Sequence, residues 1–325
     1  MDLALRPVIA DNQGFFLRSQ ALDVGLLDRD LVDGLRAGDI VRLRHGAYAP
    51  AADHRDLTPV EQYAVLTRAA VAAQRGRVAV TGPSAAALHG LPLYACDLSV
   101  VHLIRLDGGA TRCEAGVRHH KFGRDLTADL MELNGIQVTG MARTAWEVAR
   151  VAGVDAGVVT ADGALHRSPE IVTELRAFAR LLSNQPGARA AGEVVWLADG
   201  RSESPGESVL RVRFVRYGIP KPVLQLEVYD EDGRLIGRTD FGWPEHRHLG
   251  EFDGMIKYGR LLREGETSSD VIVREKLRED ELRGVGSGYG MSRFIWASTR
   301  PRRVDREMAR LHHDLGQSRR LYASR

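Results

Sequence analysis

Hydrophobic residues in the first 40 positions recur every three or four residues, which is the spacing of amphipathic helices. The pattern predicts a first helix around residues 3–9, a short second helix over 20–24 after Ser19 as N-cap, and a third from an Asp28 cap to Gly38. The apolar stripe of the third helix comprises Leu31, Val32 and Leu35. We therefore expect three short helices in sequence.

The pattern then changes from helical spacing to alternation. In "DIVRLRHGAYAP" (39–50), Ile40, Arg42 and Arg44 fall on one side, Val41 and Leu43 on the other, and His45–Gly46 forms the turn. A basic two-stranded hairpin after three helices describes a winged helix-turn-helix over residues 1–50. In this fold the third helix enters the major groove of DNA and the wing contacts phosphates.

Charge does not decide between DNA and a protein as the target of this domain. Residues 1–50 contain six arginines against seven acids, and winged helices also serve as protein-docking modules. The basic character of the wing favours DNA. The candidate DNA-contacting residues are Arg18, Arg29, Arg36, Arg42 and Arg44.

Residues 51–182 mix helical and strand patterns and predict an α+β domain. It opens with a helix for which Thr58, Pro59 and Glu61 supply the N-cap, N1 and N3 residues of a capping box. Short strands and helices follow without a catalytic signature. His119 and His120 are adjacent on a strand, so they point to opposite faces and do not share a metal ion. The small and polar composition of residues 183–199 predicts a linker.

The first two blocks resemble the AbiEi-like family, the antitoxins of type IV toxin–antitoxin systems. The resemblance covers about residues 10–167 and rests on "GFFLRSQALDVGL", "LVDGLRAGDIVRLRHGAYA", "SAAALHGLPL" and "VTGMARTAWEVAR". It implies a winged-helix DNA-binding domain joined to a regulatory domain that acts on a promoter. It also brings in a cognate toxin, or a second copy of the chain, as a candidate partner.

Residues 200–325 follow the element order αβββαβ. A helix from Ser204 to Gly218 precedes predicted strands over 222–230, 234–243 and 248–254. A helix over 269–284, a strand over 290–298 and a basic helix to the C-terminus complete the order. The whole chain is thus predicted as a multidomain α+β and α/β protein, and this order is that of the restriction-endonuclease-like fold.

Acidic residues cluster on the second and third strands of this last block. Asp240 lies on the second strand, Glu251 and Asp253 share one face of the third, and Glu207 is a further carboxylate from the preceding helix. Magnesium prefers carboxylate oxygens and lowers the pKa of a bound water, as phosphodiester hydrolysis requires. We therefore predict a Mg²⁺ site with Asp240 and Glu251 as its ligands.

The same segment resembles the very-short-patch-repair endonuclease-like family and the PD-(D/E)xK motif. The resemblance covers about residues 200–297 and rests on "DFGWPEHRHLGEFDG" with Glu207 upstream, and on "KYG", "EKLREDELR" and "SRFIW". It implies that Glu207, Asp240, Glu251, Asp253 and Lys257 form a catalytic set. The sequence departs from the motif because Asp253 replaces the lysine expected two residues after Glu251. Lys257 substitutes only if the chain turns back.

Composition sets the remaining limits. The formal net charge of the 325-residue chain is +2, so no global field draws it onto nucleic acid. Residues 298–325, however, contain eight arginines against three acids, a phosphate-binding footprint or a solvated helix. Two cysteines, the absence of a signal-peptide pattern and the absence of a membrane-spanning apolar run predict a cytoplasmic protein. Two functions stay open: a magnesium-dependent DNA endonuclease, and an antitoxin-like transcriptional repressor whose nuclease-like domain is silent.

Overall fold

The computed structural model of the chain describes residues 4–108, 111–121, 129–230, 232–254, 282 and 288–322. Tertiary contacts divide the chain into two compact units, residues 1–198 and 199–325. In the described ranges no helix combines the length and the apolar content needed to span a membrane.

Residues 4–50 form the expected three helices and antiparallel wing. The elements are α1 (Leu5–Asp11), β1 (Phe16–Leu17), α2 (Arg18–Asp23), α3 (Asp28–Ala37), β2 (Ile40–Arg44) and β3 (Ala47–Pro50). The strands pair in the order β1-β3-β2. Phe16, Leu31, Ile40 and Tyr48 are among the buried residues that fill the space between helices and sheet. The winged-helix prediction is confirmed for this domain.

The two predicted N-caps in this domain, Ser19 and Asp28, are wrong. The helix α2 begins at Arg18, because the side-chain oxygen of Gln20 accepts the backbone N–H of Leu17 at 2.8 Å. The carboxylate of Asp30 likewise accepts the N–H of Leu27 at 2.7 Å, so that Asp28 is the first helical residue of α3. In each case the residue at N3 caps the helix from inside its first turn.

The wing differs from simple alternation. Arg42 pairs with Tyr48, but Arg44 pairs with Ala47, so a bulge interrupts β2 at Leu43. Tyr48 and Ala47 point to opposite faces of β3, so the prediction that Arg42 and Arg44 share a side is wrong. Leu43 packs beside a cluster of Phe15, Ala47, Val65 and Ala69. The winged helix therefore shares a core with the helix over Pro59–Ala72, which contains Val65 and Ala69.

The rest of the first unit is a six-stranded sheet with helices. Its elements are α4 (Ala51–Asp56), α5 (Pro59–Ala72), β4 (Val78–Val80), α6 (Gly82–Leu88), β5 (Val101–Arg105), β6 (Arg112–Glu114), β7 (Val117–Lys121), β8 (Leu130–Leu133), β9 (Ile136–Thr139), α7 (Met141–Ala152), α8 (Val154–Arg167), α9 (Val172–Leu181) and α10 (Ala188–Leu197). The strand order is β6-β7-β5-β4-β9-β8. The capping box of Thr58 and Glu61 is confirmed at the start of α5.

The predicted linker over residues 183–199 is wrong, because most of it is the helix α10. Its residues Ala191, Val194 and Leu197 are buried. A Cβ atom at Gly157 of α8 would lie 2.7 Å from Val194, which shows how closely α8 and α10 approach. The small residues that suggested flexibility instead permit tight helix packing.

In its described residues, the second unit is a four-stranded sheet flanked by two long helices. Its elements are α11 (Pro205–Arg216), β10 (Val223–Tyr229), β11 (Leu235–Trp243), β12 (His248–Asp253), β13 (Gly290–Ile295) and the C-terminal helix, here named α12 (Pro301–Tyr322). The strand order is β10-β11-β12-β13, antiparallel except for the parallel pair β12–β13. Of the helix predicted over 269–284, only Leu282 is described, and it is helical and buried.

An aromatic core holds this sheet to its helices. The ring of Phe214 on α11 lies 5.1 Å from Phe241, 5.4 Å from Trp243 and 5.8 Å from Phe294, in edge-to-face arrangements. Val304 and Met308 of α12 join the same cluster. One face of the sheet is thereby fixed, and the opposite face carries Asp240 and Glu251 as well as the buried Leu249.

Candidate functional site

Asp240 and Glu251 lie on neighbouring strands at the point where the two strands separate. The pairing of β11 with β12 runs from Trp243 opposite His248 to Phe241 opposite Gly250. Asp240 and Glu251 are the next residues along the two strands, beyond the last paired positions. Because side chains alternate between the faces of a strand, both lie on the face opposite to that of Phe241 and Gly250. The two predicted metal ligands therefore occupy neighbouring positions on one side of the sheet.

The carboxylate of Asp240 also has a structural contact. Its Oδ2 accepts the backbone N–H of Phe252 at 2.7 Å, in place of a carbonyl of the facing strand. This hydrogen bond fixes the side chain between the strands.

Two residues that the sequence analysis missed extend this pair into a polar row across the sheet. Arg293 of β13 is the register partner of Glu251, with its guanidinium nitrogen 3.8 Å from the Glu251 carboxylate. Gln225 of β10 falls opposite Asp240 and has a left-handed backbone, with φ of 53°. No local pattern marks either residue, because the row exists only through the strand order.

Glu207 is held by hydrogen bonds at the start of α11. Only 3% of the residue is exposed. Its carboxylate accepts hydrogen bonds from the Ser204 hydroxyl at 2.7 Å, the Glu203 backbone N–H at 2.9 Å and the Gln225 amide at 3.1 Å. These contacts give Glu207 a capping role and tie α11 to β10.

Of the other two members of the predicted catalytic set, only Asp253 is described. Asp253 is half-buried at the end of β12, and Lys257 lies outside the described residues. Across the described ranges, no three carboxylate, imidazole or thiolate side chains gather into one metal-ion site. Asp240 and Glu251 are a pair of carboxylate donors. Such a pair suits Mg²⁺, because this ion keeps several waters and takes one or two protein carboxylates.

The winged helix presents arginines of two kinds. Arg18 is paired with Asp28, whose Oδ1 accepts its Nε–H at 2.7 Å. This hydrogen bond raises the pKa of Arg18 and lowers the pKa of Asp28. Arg29 and Arg36 of α3 have side chains about three-quarters exposed, and each forms a solvent-exposed ion pair on its own helix, Arg29 with Asp30 at 3.8 Å and Arg36 with Asp33 at 3.6 Å. The exposed surface of α3 therefore offers two cations to a ligand.

The wing arginines are divided by the bulge. Arg42 is exposed, with its guanidinium carbon 5.9 Å from the centre of the Tyr48 ring. Arg44 is half-buried, and its buried Nη1 has no hydrogen-bond partner among the described residues. Burial lowers the pKa of Arg44. Arg42 is therefore placed to reach a phosphate, whereas Arg44 is turned toward the protein.

A histidine pair lies inside the six-stranded sheet. Nδ1 of His102 on β5 and Nε2 of His120 on β7 are 3.0 Å apart, and the rings stack at 5.2 Å. Burial lowers the pKa of His102 to about 3 and that of His120 to about 4. His119 is adjacent to His120 in the sequence, but the imidazole that His120 contacts belongs to His102 on the neighbouring strand.

Comparison with known proteins adds to this geometry. The family model described as "Transcriptional regulator, AbiEi antitoxin" matches residues 4–51, the same residues that form the winged helix. Two relatives are "Uncharacterized protein MT2308" and "Uncharacterized protein Rv2248" of Mycobacterium tuberculosis, from strains CDC 1551 and H37Rv. Each is 30% identical over 253 residues, which is 78% of this chain and 84% of the relative. The chain therefore belongs to the same family as these two mycobacterial proteins, and its N-terminal domain is a transcriptional-regulator domain of the AbiEi antitoxin type.

Proposed function

We propose that the protein is a DNA-binding transcriptional regulator that reads its site with the outer face of α3. Arg29, Val32 and Arg36 recur at helical spacing on one exposed face of this helix. Val32 is 42% exposed, although the sequence pattern predicts it to be buried. An apolar side chain between two arginines suits the major groove, where arginine contacts guanine and an apolar group contacts the thymine methyl.

Arg42 supplies the second contact of this proposal. It lies on the wing, is exposed, and has no carboxylate partner among the described residues. A wing cation beside the groove neutralises a phosphate and fixes the register of α3 on the duplex. The single observation that carries the proposal is the exposed face of α3 in a domain that the regulator family model matches.

Fluorescence anisotropy with labelled duplexes from the region upstream of the protein's own gene tests this function. Arg29→Gln and Arg36→Gln should each weaken specific binding by about tenfold, because a lost bidentate base contact costs about 1–3 kcal/mol. The matched control is Arg6→Gln, which removes one exposed arginine of α1 and should change affinity less than about twofold. Equal effects of all three substitutions would reject α3 as the reading helix.

A protein partner belongs to the same proposal. The antitoxin type of the domain supports a cognate toxin or a second copy of the chain as the partner. Light scattering of the purified chain, alone and on its DNA site, distinguishes a self-associating regulator from a monomer that recruits another protein. A monomer in both states would exclude the second copy.

A second candidate function is magnesium-dependent hydrolysis of DNA, which the neighbouring positions of Asp240 on β11 and Glu251 on β12 support. These two carboxylates would hold the ion, and a bound Mg²⁺ would supply an activated water and charge neutralisation. The Phe252 N–H fixes Asp240, and the Arg293 cation limits repulsion at Glu251. Glu207 contributes positioning through Gln225.

Plasmid nicking and calorimetric Mg²⁺ titration test this second candidate. Asp240→Asn should abolish both nicking and Mg²⁺ binding, whereas Asp230→Asn, in the turn after β10, should leave both intact. If wild-type protein leaves plasmid intact during long incubation with Mg²⁺ or Mn²⁺ but still binds the upstream duplex, the protein is a regulator without nuclease activity.

A further inference from the structure

The C-terminal helix α12 has one buried side and one strongly basic side. Val304, Met308, Leu311 and Leu315 face the core of the second unit. At about 100° per residue, the exposed residues Arg302, Arg306, His313 and Arg320 fall within about 40° of one another on the opposite side. We name these four residues the outer stripe. It extends about 27 Å along the helix axis.

The carboxylates of α12 do not neutralise the outer stripe. Asp305 accepts a hydrogen bond from the Tyr217 hydroxyl, Glu307 pairs with Arg310 at 2.8 Å, and Asp314 accepts from the Ser292 hydroxyl at 3.2 Å. All three contacts lie on the flanks of the helix. In the described part of the chain, the arginines of the outer stripe form no ion pair. Their charge is therefore available to a ligand.

The N-terminal turn of α12 is also basic. Its first turn contains Arg302 and Arg303 and no acid. Cations at a helix N-terminus are unfavourable because they face the positive end of the helix dipole. A site that concentrates positive charge at a cost to the helix suits an anionic ligand.

We propose that the outer stripe binds the phosphate backbone of duplex DNA, as a second contact of the protein with its target. Over about 27 Å a duplex presents about 16 phosphate charges, so a straight line of cations meets several of them. The other residues on this side, Ala309, Gly316 and Gln317, are small or polar. They offer no apolar centre of the kind that protein interfaces need, so a polyanion is favoured over a protein partner. The inference rests on the proposed DNA-binding function and adds a contact in the other unit.

The test is the salt dependence of DNA binding by the full chain. The triple variant R302Q/R306Q/R320Q removes three cations of the outer stripe. The slope of log K against log salt should fall in magnitude by about 2.7, because each phosphate contact contributes about 0.9. Between 50 and 200 mM salt, wild-type affinity should consequently fall about 40-fold more than that of the variant.

Two further variants make the outcome specific. R176Q/R180Q/R189Q removes three exposed arginines of α9 and α10 and should keep the wild-type slope. R302K/R306K/R320K keeps the charges and should also keep the slope, because a lysine neutralises a phosphate as a point charge.

Each alternative result has a distinct meaning. If R302Q/R306Q/R320Q has the same salt slope as R176Q/R180Q/R189Q, or if R302K/R306K/R320K has a slope of smaller magnitude than the wild type, the inference fails and the winged-helix function stands. A slope change on duplex RNA and not on duplex DNA would overturn DNA as the partner. If the wild-type chain binds no DNA at all, both the proposed function and this inference fail.

Discussion

Gly206 in the first turn of α11 is the position where a single added methyl group should disturb the candidate site most directly. A Cβ atom there would lie 2.0 Å from Cε1 and 2.3 Å from Cζ of Phe252. The Phe252 ring cannot move freely, since it is 3% exposed and packs edge-to-face on Trp296 at 5.3 Å. Its backbone N–H binds Asp240. Gly206→Ala therefore forces a shift in the residue that positions Asp240.

The magnitude follows from two opposed effects. Alanine in place of glycine in a helix stabilises it by up to about 1 kcal/mol. Overpacking against a buried ring costs about 3 kcal/mol, the upper end of the usual range. We therefore expect Gly206→Ala to lower the free energy of unfolding of the second unit by about 2 kcal/mol. In a Phe252→Ala background all the clashing ring atoms are absent, and Gly206→Ala should be neutral or stabilising by up to about 1 kcal/mol.

A double-mutant cycle measures this coupling. Urea unfolding is followed by tryptophan fluorescence in a background where Trp146 and Trp196 of the first unit are replaced by phenylalanine, so that the second unit is observed. The expected coupling energy between positions 206 and 252 is about 3 kcal/mol. A neutral Gly206→Ala in both backgrounds would refute the close packing of α11 on β12.

Three further predictions concern the first unit. The pKa values of His102 and His120, near 3 and 4, lie below the unfolded value of about 6.5. The unfolded chain therefore binds more protons, so the free energy of unfolding is highest above about pH 6.5 and falls toward pH 4. Each histidine should lower the free energy of unfolding by about 2 kcal/mol between pH 8 and pH 5. Denaturant unfolding of the wild type and of His120→Asn at both pH values checks this, and a wild-type free energy of unfolding that does not change with pH would contradict it. Thr58→Ala should destabilise the unit by about 1 kcal/mol by removing the cap of α5, while Thr58→Ser should not, as thermal melting would reveal. Asp28→Asn should release Arg18 and increase the magnitude of the slope of log K against log salt for DNA binding by up to about 1. Asp28→Glu should leave this slope unchanged, and a slope of smaller magnitude in Asp28→Asn would exclude Arg18 from the interface.

Local patterns in the sequence are sufficient to predict most helices and strands of this protein. The capping box at Thr58, the Ser204–Pro205 start of α11 and the Gly38 end of α3 each depend on residues within one or two turns of one another. Such short-range hydrogen bonds and burial periods are written directly in the order of residues. The three-helix-and-wing domain and the first three strands of the last block could therefore be predicted without a structure.

Register and strand order decided the rest, because they depend on contacts between residues distant in the chain. The bulge at Leu43 reverses the direction of Arg44, since Leu43 packs beside residues of α5. Arg293 reaches Glu251 only through the parallel pairing of β12 with β13, and His102 meets His120 only because β5 and β7 are neighbours. Residue periodicity fixes which face of a strand is polar, but the neighbouring strand supplies the partner on that face, and only tertiary packing selects that neighbour.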